Sequence, residues 1–371
     1  MSEKLQPGDR VALLTSGGDA PGMNAALRAA AKVGVSMGLE VVGVEDGYVG
    51  LMAGRIVALD LRALDDASRR GGTILGSARS KVFPTAEGQA KAREVIARER
   101  LAGLVVIGGN GSLTGARTLR DAEGARGKLR VGGLPASIDN DLACTTMAIG
   151  VDTAMNTIVE ACDRIADTAS AHRRTFVVEV MGRDCGYLAM TAGVAAGADA
   201  VLVPEIGKSE DSIVEQAVSM MVDAYTKNTG KRRVLIIKAE GVKIDSASLR
   251  ERIELQVKEQ LNDVDTRVTV LGHVVRGGTP SAFDRLLGAR LAHAAMRAVF
   301  DGDTDFMAGW IGPGAMPSEA TGTRLCAYDP YVVLTGLEAV LRETDKLMKG
   351  ESAVAQWRRR IFAEIEPILA R

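Results

Sequence analysis

Short apolar runs alternate with segments of helical period along most of the chain. Residues 11–14, 40–44, 104–107, 131–134, 176–180 and 234–237 are such runs, and each reads as a strand. Between them the spacing predicts helices over 22–38, 86–100, 147–168, 186–197, 211–229 and 246–261. Further helices are expected over 281–300, 334–348 and 352–370. Within 147–168, Ile158, Cys162 and Ile165 recur on one helical face, and Thr145 or Thr146 stands where a cap is wanted. Strand–helix alternation of this kind predicts an α/β fold with parallel sheets layered between helices. A domain boundary is expected near residue 150, and 312–322, rich in Gly, Pro, Ser and Thr, is the best linker candidate.

At 371 residues the chain is long enough for two domains with a substantial core. Its net charge of -1 gives no global field for nucleic acid or an acidic membrane, so anionic ligands must be captured by local arginines. No signal-like or membrane-spanning apolar run is expected. The four cysteines are far apart, and no Cys/His spacing suits zinc, which points to reduced thiols and a cytoplasmic enzyme.

Candidate chemistry lies in the strand-to-helix turns. The first is Thr15 to Asn24, containing Gly17, Gly18 and Gly22; the second is Ile107 to Gly115, containing Gly108, Gly109, Asn110, Gly111 and Ser112. Glycines there let backbone N–H groups at a helix start approach a phosphate. Neither loop is G-x-G-x-x-G or a Walker A sequence, so a Rossmann dehydrogenase is disfavoured. A glycine-rich turn also precedes Arg79. Arg174, Arg183, Arg267 and Arg276 stand near strand ends, where guanidinium forks suit a sugar-phosphate-sized anion. Asp139 and Asp141 close the run that starts at 131; on an extended backbone they would share one side and one small volume.

Several motifs occur in order: Gly-Gly-Asp-Ala-Pro-Gly-Met-Asn at 17–24, Gly-Ser-Ala-Arg at 76–79 and Ile-Asp-Asn-Asp at 138–141. Glu-Val-Met-Gly-Arg at 179–183 and Gly-His-Val-Val-Arg-Gly-Gly at 272–278 come after them. Together they make the chain resemble the 6-phosphofructokinase family from Val11 to about Ala295. The resemblance implies two αβα-layered Rossmann-like domains with the active site in the cleft between them. It implies a nucleotide-binding larger domain (1–150 with 278–325), a sugar-phosphate-binding smaller one (151–277) and a C-terminal helical extension (326–371). The activity implied is Mg2+- and ATP-dependent phosphorylation of fructose 6-phosphate in glycolysis. By resemblance Asp139 is the catalytic base, with Ser137 and Asp141 beside it. Gly18, Tyr48, Arg79, Gly109, Asn110, Gly111 and Ser112 fall to the nucleotide, Asn110 also to the metal. Met181, Gly182, Arg183, Glu240, His273 and Arg276 fall to the sugar phosphate. Arg174 and Arg267 would reach a neighbouring subunit's site, which implies a homo-oligomer, dimer or tetramer.

Some positions depart from the family pattern. Asn110 stands where bacterial members usually carry a metal-contacting Asp; it keeps an oxygen donor and loses a charge. Pyrophosphate-using relatives typically have Asp at the position of Gly111 and Lys at that of Ala136, so both residues here point to ATP. Of the effector-site positions, Arg28, Lys32 and Lys231 keep positive charge, whereas Leu61 and Ala166 do not. The alternatives are a pyrophosphate-dependent enzyme, a kinase of another sugar phosphate such as sedoheptulose 7-phosphate, a lipid- or NAD-kinase-like chain, and a non-catalytic sugar-phosphate-binding subunit.

Overall fold

The computed structural model describes residues 3–226, 232–258, 260–261, 265–312 and 319–369. Lys231 and most of the expected linker, 313–318, lie outside the described residues. The chain divides into two compact units, residues 1–153 with 276–346, and 154–275 with 347–371.

The first unit opens with β1 (Arg10–Ser16), α1 (Met23–Ser36), β2 (Glu40–Val44), α2 (Gly47–Ala53), β3 (Ile56–Ala58) and α3 (Leu61–Ala67). It continues through α4 (Ala86–Arg98), β4 (Leu101–Gly108), α5 (Asn110–Thr118), the short pair β5 (Glu123–Gly124) and β6 (Gly127–Lys128), and β7 (Arg130–Pro135). All eight residues of β4 are buried, as an unbroken apolar run covered by helices on both faces requires. Then come α6 (Val151–His172), β8 (Thr175–Val180), α7 (Tyr187–Ala195), β9 (Ala200–Leu202), α8 (Glu210–Thr226), β10 (Val234–Ala239), α9 (Ser246–Val257) and β11 (Thr266–Val270). These form the second unit around an all-parallel sheet of order β11-β8-β10-β9.

The chain returns to the first unit with α10 (Ala282–Phe300), β12 (Phe306–Trp310), β13 (Arg324–Cys326), β14 (Asp329–Gly336) and α11 (Leu337–Met348), and ends in α12 (Ala353–Leu369). The larger sheet runs β13-β14-β12-β7-β4-β1-β2-β3, parallel from β12 to β2 and antiparallel at both edges. Residues 326–371, expected to be a helical extension, therefore begin with a sheet strand. Pro330, Val332 and Val333 favour extended backbone, and Val332 to Leu334 are buried against β12. The two helices after that strand are split between the units: α11 sits mostly in the first, with Leu337 and Val340 in its core, and α12 in the second.

The start of α6 is not capped by Thr145 or Thr146. Thr145 Oγ1 donates to Met147 O, and the Thr146 N–H donates to Trp310 O. The fully buried Asp284 of α10 caps the helix, accepting from the N–H groups of Gly150 and Thr153, each at 2.8 Å, and from Thr153 Oγ1 at 2.5 Å. At the other start, α1 packs closely on α10. Gly22 opens α1 at φ 108°, a left-handed conformation, and a side chain there would meet Ile149 and Asp284.

Candidate active site

In the larger sheet β1 lies between β2 and β4, so the chain leaves β1 toward one side and later crosses to the other. Loops after β1 and β4 diverge at such a point, opening a crevice at the strands' C-terminal ends. The loops after β1, β4 and β7 are neighbours along this edge. The Ala136 N–H donates to Gly108 O at 3.1 Å, and a Cβ built on Gly109 would lie 3.7 Å from Ala136 O and 3.9 Å from Ser137 Cβ. A Cβ on Gly17 would meet Ser112 Oγ at 3.1 Å. The 70–79 turn is tied in from the third side. Thr15 Oγ1 donates to Gly76 O, Ser77 Oγ donates to Gly17 O, and Asn24 holds Arg70 O, Gly71 O and the Ile74 N–H. Four segments far apart in sequence thus form one rim.

Within that rim, Asn110 and Gly111 are the first two residues of α5, so helix geometry leaves their N–H groups without intrahelical partners. Both are exposed, and nothing lies within 4 Å of a Cβ built on Gly111. An anion can therefore approach this backbone directly. Arg79 is exposed and has no ion-pair partner among the described residues. Arg276 crosses the first glycine loop: its Nη1 donates to Asp19 O at 3.2 Å and would lie 2.8 Å from a Cβ on Gly18. Glycine lets the guanidinium lie here without shifting. Tyr48 is not a ring face open to a nucleotide. It is buried, stacked on Phe83 with centroids 4.0 Å apart, and its hydroxyl donates to Ser112 O at 2.5 Å. Burial pushes its phenol far above the usual range, so it stays neutral and braces α5 from behind.

The carboxylate run differs from its expected geometry. β7 stops at Pro135, residues 138–139 form a turn, and Asn140 takes φ 49°. Asp139 and Asp141 are therefore not neighbours on one side of an extended strand. Asp141 accepts instead from Ser137 Oγ at 2.7 Å. The buried Asn140 side chain donates to Thr146 O and accepts from the Ala148 N–H, which pins the turn between the two half-buried carboxylates.

In the second unit, Met181, Gly182, Arg183 and Glu240 follow the C-terminal ends of β8 and β10, joined by Gly241 N–H to Gly182 O at 3.1 Å. His273 comes just after β11, at the same edge. Gly182 sits at φ 134°, with Cys185 O 2.5 Å from where a Cβ would be. Arg183, Glu240 and His273 are exposed. Arg174 and Arg267 are at the opposite edge, before and at the start of β8 and β11, and both bind the Asp265 carboxylate, at 2.9 and 2.8 Å. Sequence reading missed the ion pair below the Met181 loop. The fully buried Lys238 meets Glu179 at 3.0 Å, and Ser246 Oγ donates to the same carboxylate oxygen.

Residues 10–299 match the family described as Phosphofructokinase. The protein named ATP-dependent 6-phosphofructokinase of Natranaerobius thermophilus is 46% identical over 300 residues, covering 81% of this chain and 89% of that protein. Its namesake in Brevibacillus brevis is 45% identical with the same coverage. The crystal structure of Pichia pastoris phosphofructokinase in the T-state matches 100% of this chain at 32% identity and a TM-score of 0.81, while this chain spans 40% of that longer one. The chain belongs to the phosphofructokinase family.

Arg28 and Lys32, which the resemblance alone relates to an effector site, share an internal counterion. Asp65 accepts from Arg28 and from Lys32, the latter at 2.6 Å, and the two cations hold its carboxyl below the usual range. Among the described residues no group of three or more His, Cys, Asp or Glu side chains is arranged to hold a metal, and no helix is long and apolar enough to cross a membrane.

Proposed function

We propose that this chain transfers the γ-phosphoryl group of ATP to the 1-hydroxyl of fructose 6-phosphate, with Asp139 as the general base. The observation that carries this reading is the adjacency of the Asp139 turn and the open N-terminus of α5 on one sheet edge. Curated relatives bearing the name ATP-dependent 6-phosphofructokinase support both substrates. The first unit takes the nucleotide and the second the sugar phosphate.

The Asp139 carboxylate accepts the proton of the sugar 1-hydroxyl as that oxygen attacks the γ-phosphorus. The bond to the β–γ bridging oxygen breaks, and ADP carries away the electron pair. Backbone N–H groups of Asn110 and Gly111, with Arg79, hold the phosphates, and the open space at Gly111 suits a nucleotide's α-phosphate. Arg183, His273 and Arg276 keep the sugar-phosphate roles that the family resemblance implies. Asn110, Ser137, Asp139 and Asp141 present only oxygen donors, and a site without a protein cage fits Mg2+ carried largely by phosphates and water. The ion would neutralise charge on the β- and γ-oxygens.

Arg174 lies six residues of strand away from this edge, roughly 20 Å at about 3.3 Å per residue, and Arg267 three to four residues, roughly 10–13 Å. Both guanidinium groups are instead held by Asp265, away from that edge, which supports service to a neighbouring subunit and hence a homo-oligomer. The free cysteines separately support a cytoplasmic setting. The decisive experiment is a steady-state panel crossing ATP and pyrophosphate with fructose 6-phosphate and sedoheptulose 7-phosphate. ATP with fructose 6-phosphate should give the highest kcat/KM, and Asp139→Asn should lower kcat by at least ~10²-fold. Near-normal turnover of that variant rejects the role of Asp139; inert wild-type protein rejects the kinase.

A further inference from the structure

The family match ends at residue 299, yet much of what fastens the segment after the Asp139 turn comes from residues beyond it. Two later elements, α11 and β12, grip residues 142–146 in turn. Leu142 lies in the core with Leu337 and Val340, and the Ala143 N–H donates to Thr344 Oγ1 of α11 at 3.0 Å. Thr344 is fully buried. Cys144, at φ 61°, passes so close to β12 that a Cβ on Gly309 would lie 2.3 Å from its carbonyl oxygen. Thr145 Oγ1 accepts the Trp310 N–H at 3.0 Å, and Thr146 N–H donates to Trp310 O at 2.8 Å.

These grips reach the carboxylates along the chain itself and through the Asn140 side chain. Asn140, between Asp139 and Asp141, bonds to Thr146 O at 3.1 Å and to the Ala148 N–H at 3.0 Å. Its hold on the turn is only as firm as the 143–148 backbone it grasps. Thr344 supplies the α11 end of that support, through a hydroxyl aimed at a backbone N–H four residues beyond Asp139. A buried N–H that loses its acceptor must find another by shifting the backbone. A shift of about 1 Å at a catalytic group is enough to cost roughly 10²-fold in rate.

Resting on the kinase reading of the Asp139 site, we infer that Thr344 is a positioning residue for the Asp139–Asp141 turn and that α11 belongs to the catalytic framework. The role is geometric: Thr344 touches no substrate and acts through Ala143, Thr146 and Asn140.

The test compares Thr344→Val and Thr344→Ser with Thr304→Val. Thr304 Oγ1 likewise accepts a backbone N–H, that of Val131 at 3.0 Å, but at the start of β7, away from the Asp139 turn. Thr344→Val should lower kcat about 10-fold or more, with both KM values within about twofold of wild type. Thr344→Ser should regain most of the rate, and Thr304→Val should keep it. Amide exchange across 139–148 should quicken in Thr344→Val alone. Equal kcat values for the two valine variants, or unchanged exchange in 139–148, overturn the inference. If the wild type transfers no phosphoryl group, the kinase reading fails by itself, and the exchange comparison alone decides the positioning claim.

Discussion

Replacing Asp284 tests whether one buried carboxylate joins the two longest helices. It is fully buried on α10 and accepts three hydrogen bonds from the first turn of α6, at 2.8, 2.8 and 2.5 Å. Asparagine has the same shape but only one acceptor atom, so at least one of the three donors must face its NH2. A buried donor left unsatisfied costs about 1–3 kcal/mol, and Asp284→Asn should lose that much stability. Asp284→Ala strands all three donors and should lose more, about 3–5 kcal/mol. Trp310 and Trp357 are the two tryptophans of the chain, one in each unit, so a Trp357→Phe background lets urea unfolding of the first unit be read from Trp310 alone. Burial outweighs the donors and raises the Asp284 pKa above its usual 3.8. The folded state therefore holds this proton more tightly than the unfolded chain. The stability it adds is complete below about 3.8 and fades as pH rises through the folded value. The advantage of aspartate over asparagine should accordingly shrink between pH 4 and pH 7. An Asp284→Asn loss below about 0.5 kcal/mol, or an advantage that grows with pH, refutes the assignment.

Other outcomes rest on the same geometry. Arg79→Ala removes a charge-assisted phosphate contact worth about 1.5–3 kcal/mol and should raise the KM for ATP roughly 10- to 150-fold in steady-state assays, with the sugar-phosphate KM little changed. Asp139→Asn and Arg174→Ser proteins should each be nearly inactive; dissociated and reassociated together, they should regain activity from hybrid sites, and failure to do so argues that Arg174 serves its own chain. Lys238→Met leaves Glu179, whose side chain keeps 21% of its exposure, facing Ser246 alone. It should cost about 3 kcal/mol in the Trp357-reported transition, and adding Glu179→Gln should restore part of the loss.

Much of the fold was legible because its signals are local. The apolar runs of β1, β4 and β10 and the helical period of α4, α8 and α10 required only neighbouring residues to read. The errors fall where long-range partners decide. Leu334, Leu337 and Leu341 imitate a helical face, so 334–348 read as one helix. Pairing with β12 holds 329–336 extended, and α11 starts only at Leu337. Ser281 and Asp284 have the spacing of a helix cap, and Ser281 Oγ does accept the Asp284 N–H. Nothing in that spacing says that the carboxylate itself caps α6, whose acceptor need arises 131 residues earlier.

The candidate site divides along the same line. Glycine loops and arginines could be found because a phosphate needs exposed N–H groups and guanidinium forks wherever the chain carries them. The Asp139–Asp141 pair was found for the wrong geometric reason. Alternation along a strand would have aimed both carboxylates one way, but Asn140 at φ 49° breaks the strand between them. That break separates the two carboxylates: Asp141 receives Ser137 Oγ from before the turn, while Asp139 lies within it. Two carboxylates in one environment would compete for the same partners, whereas separate positions allow each its own role. The turn that defeated the sequence reading is therefore the feature that makes distinct roles for the two acids physically possible.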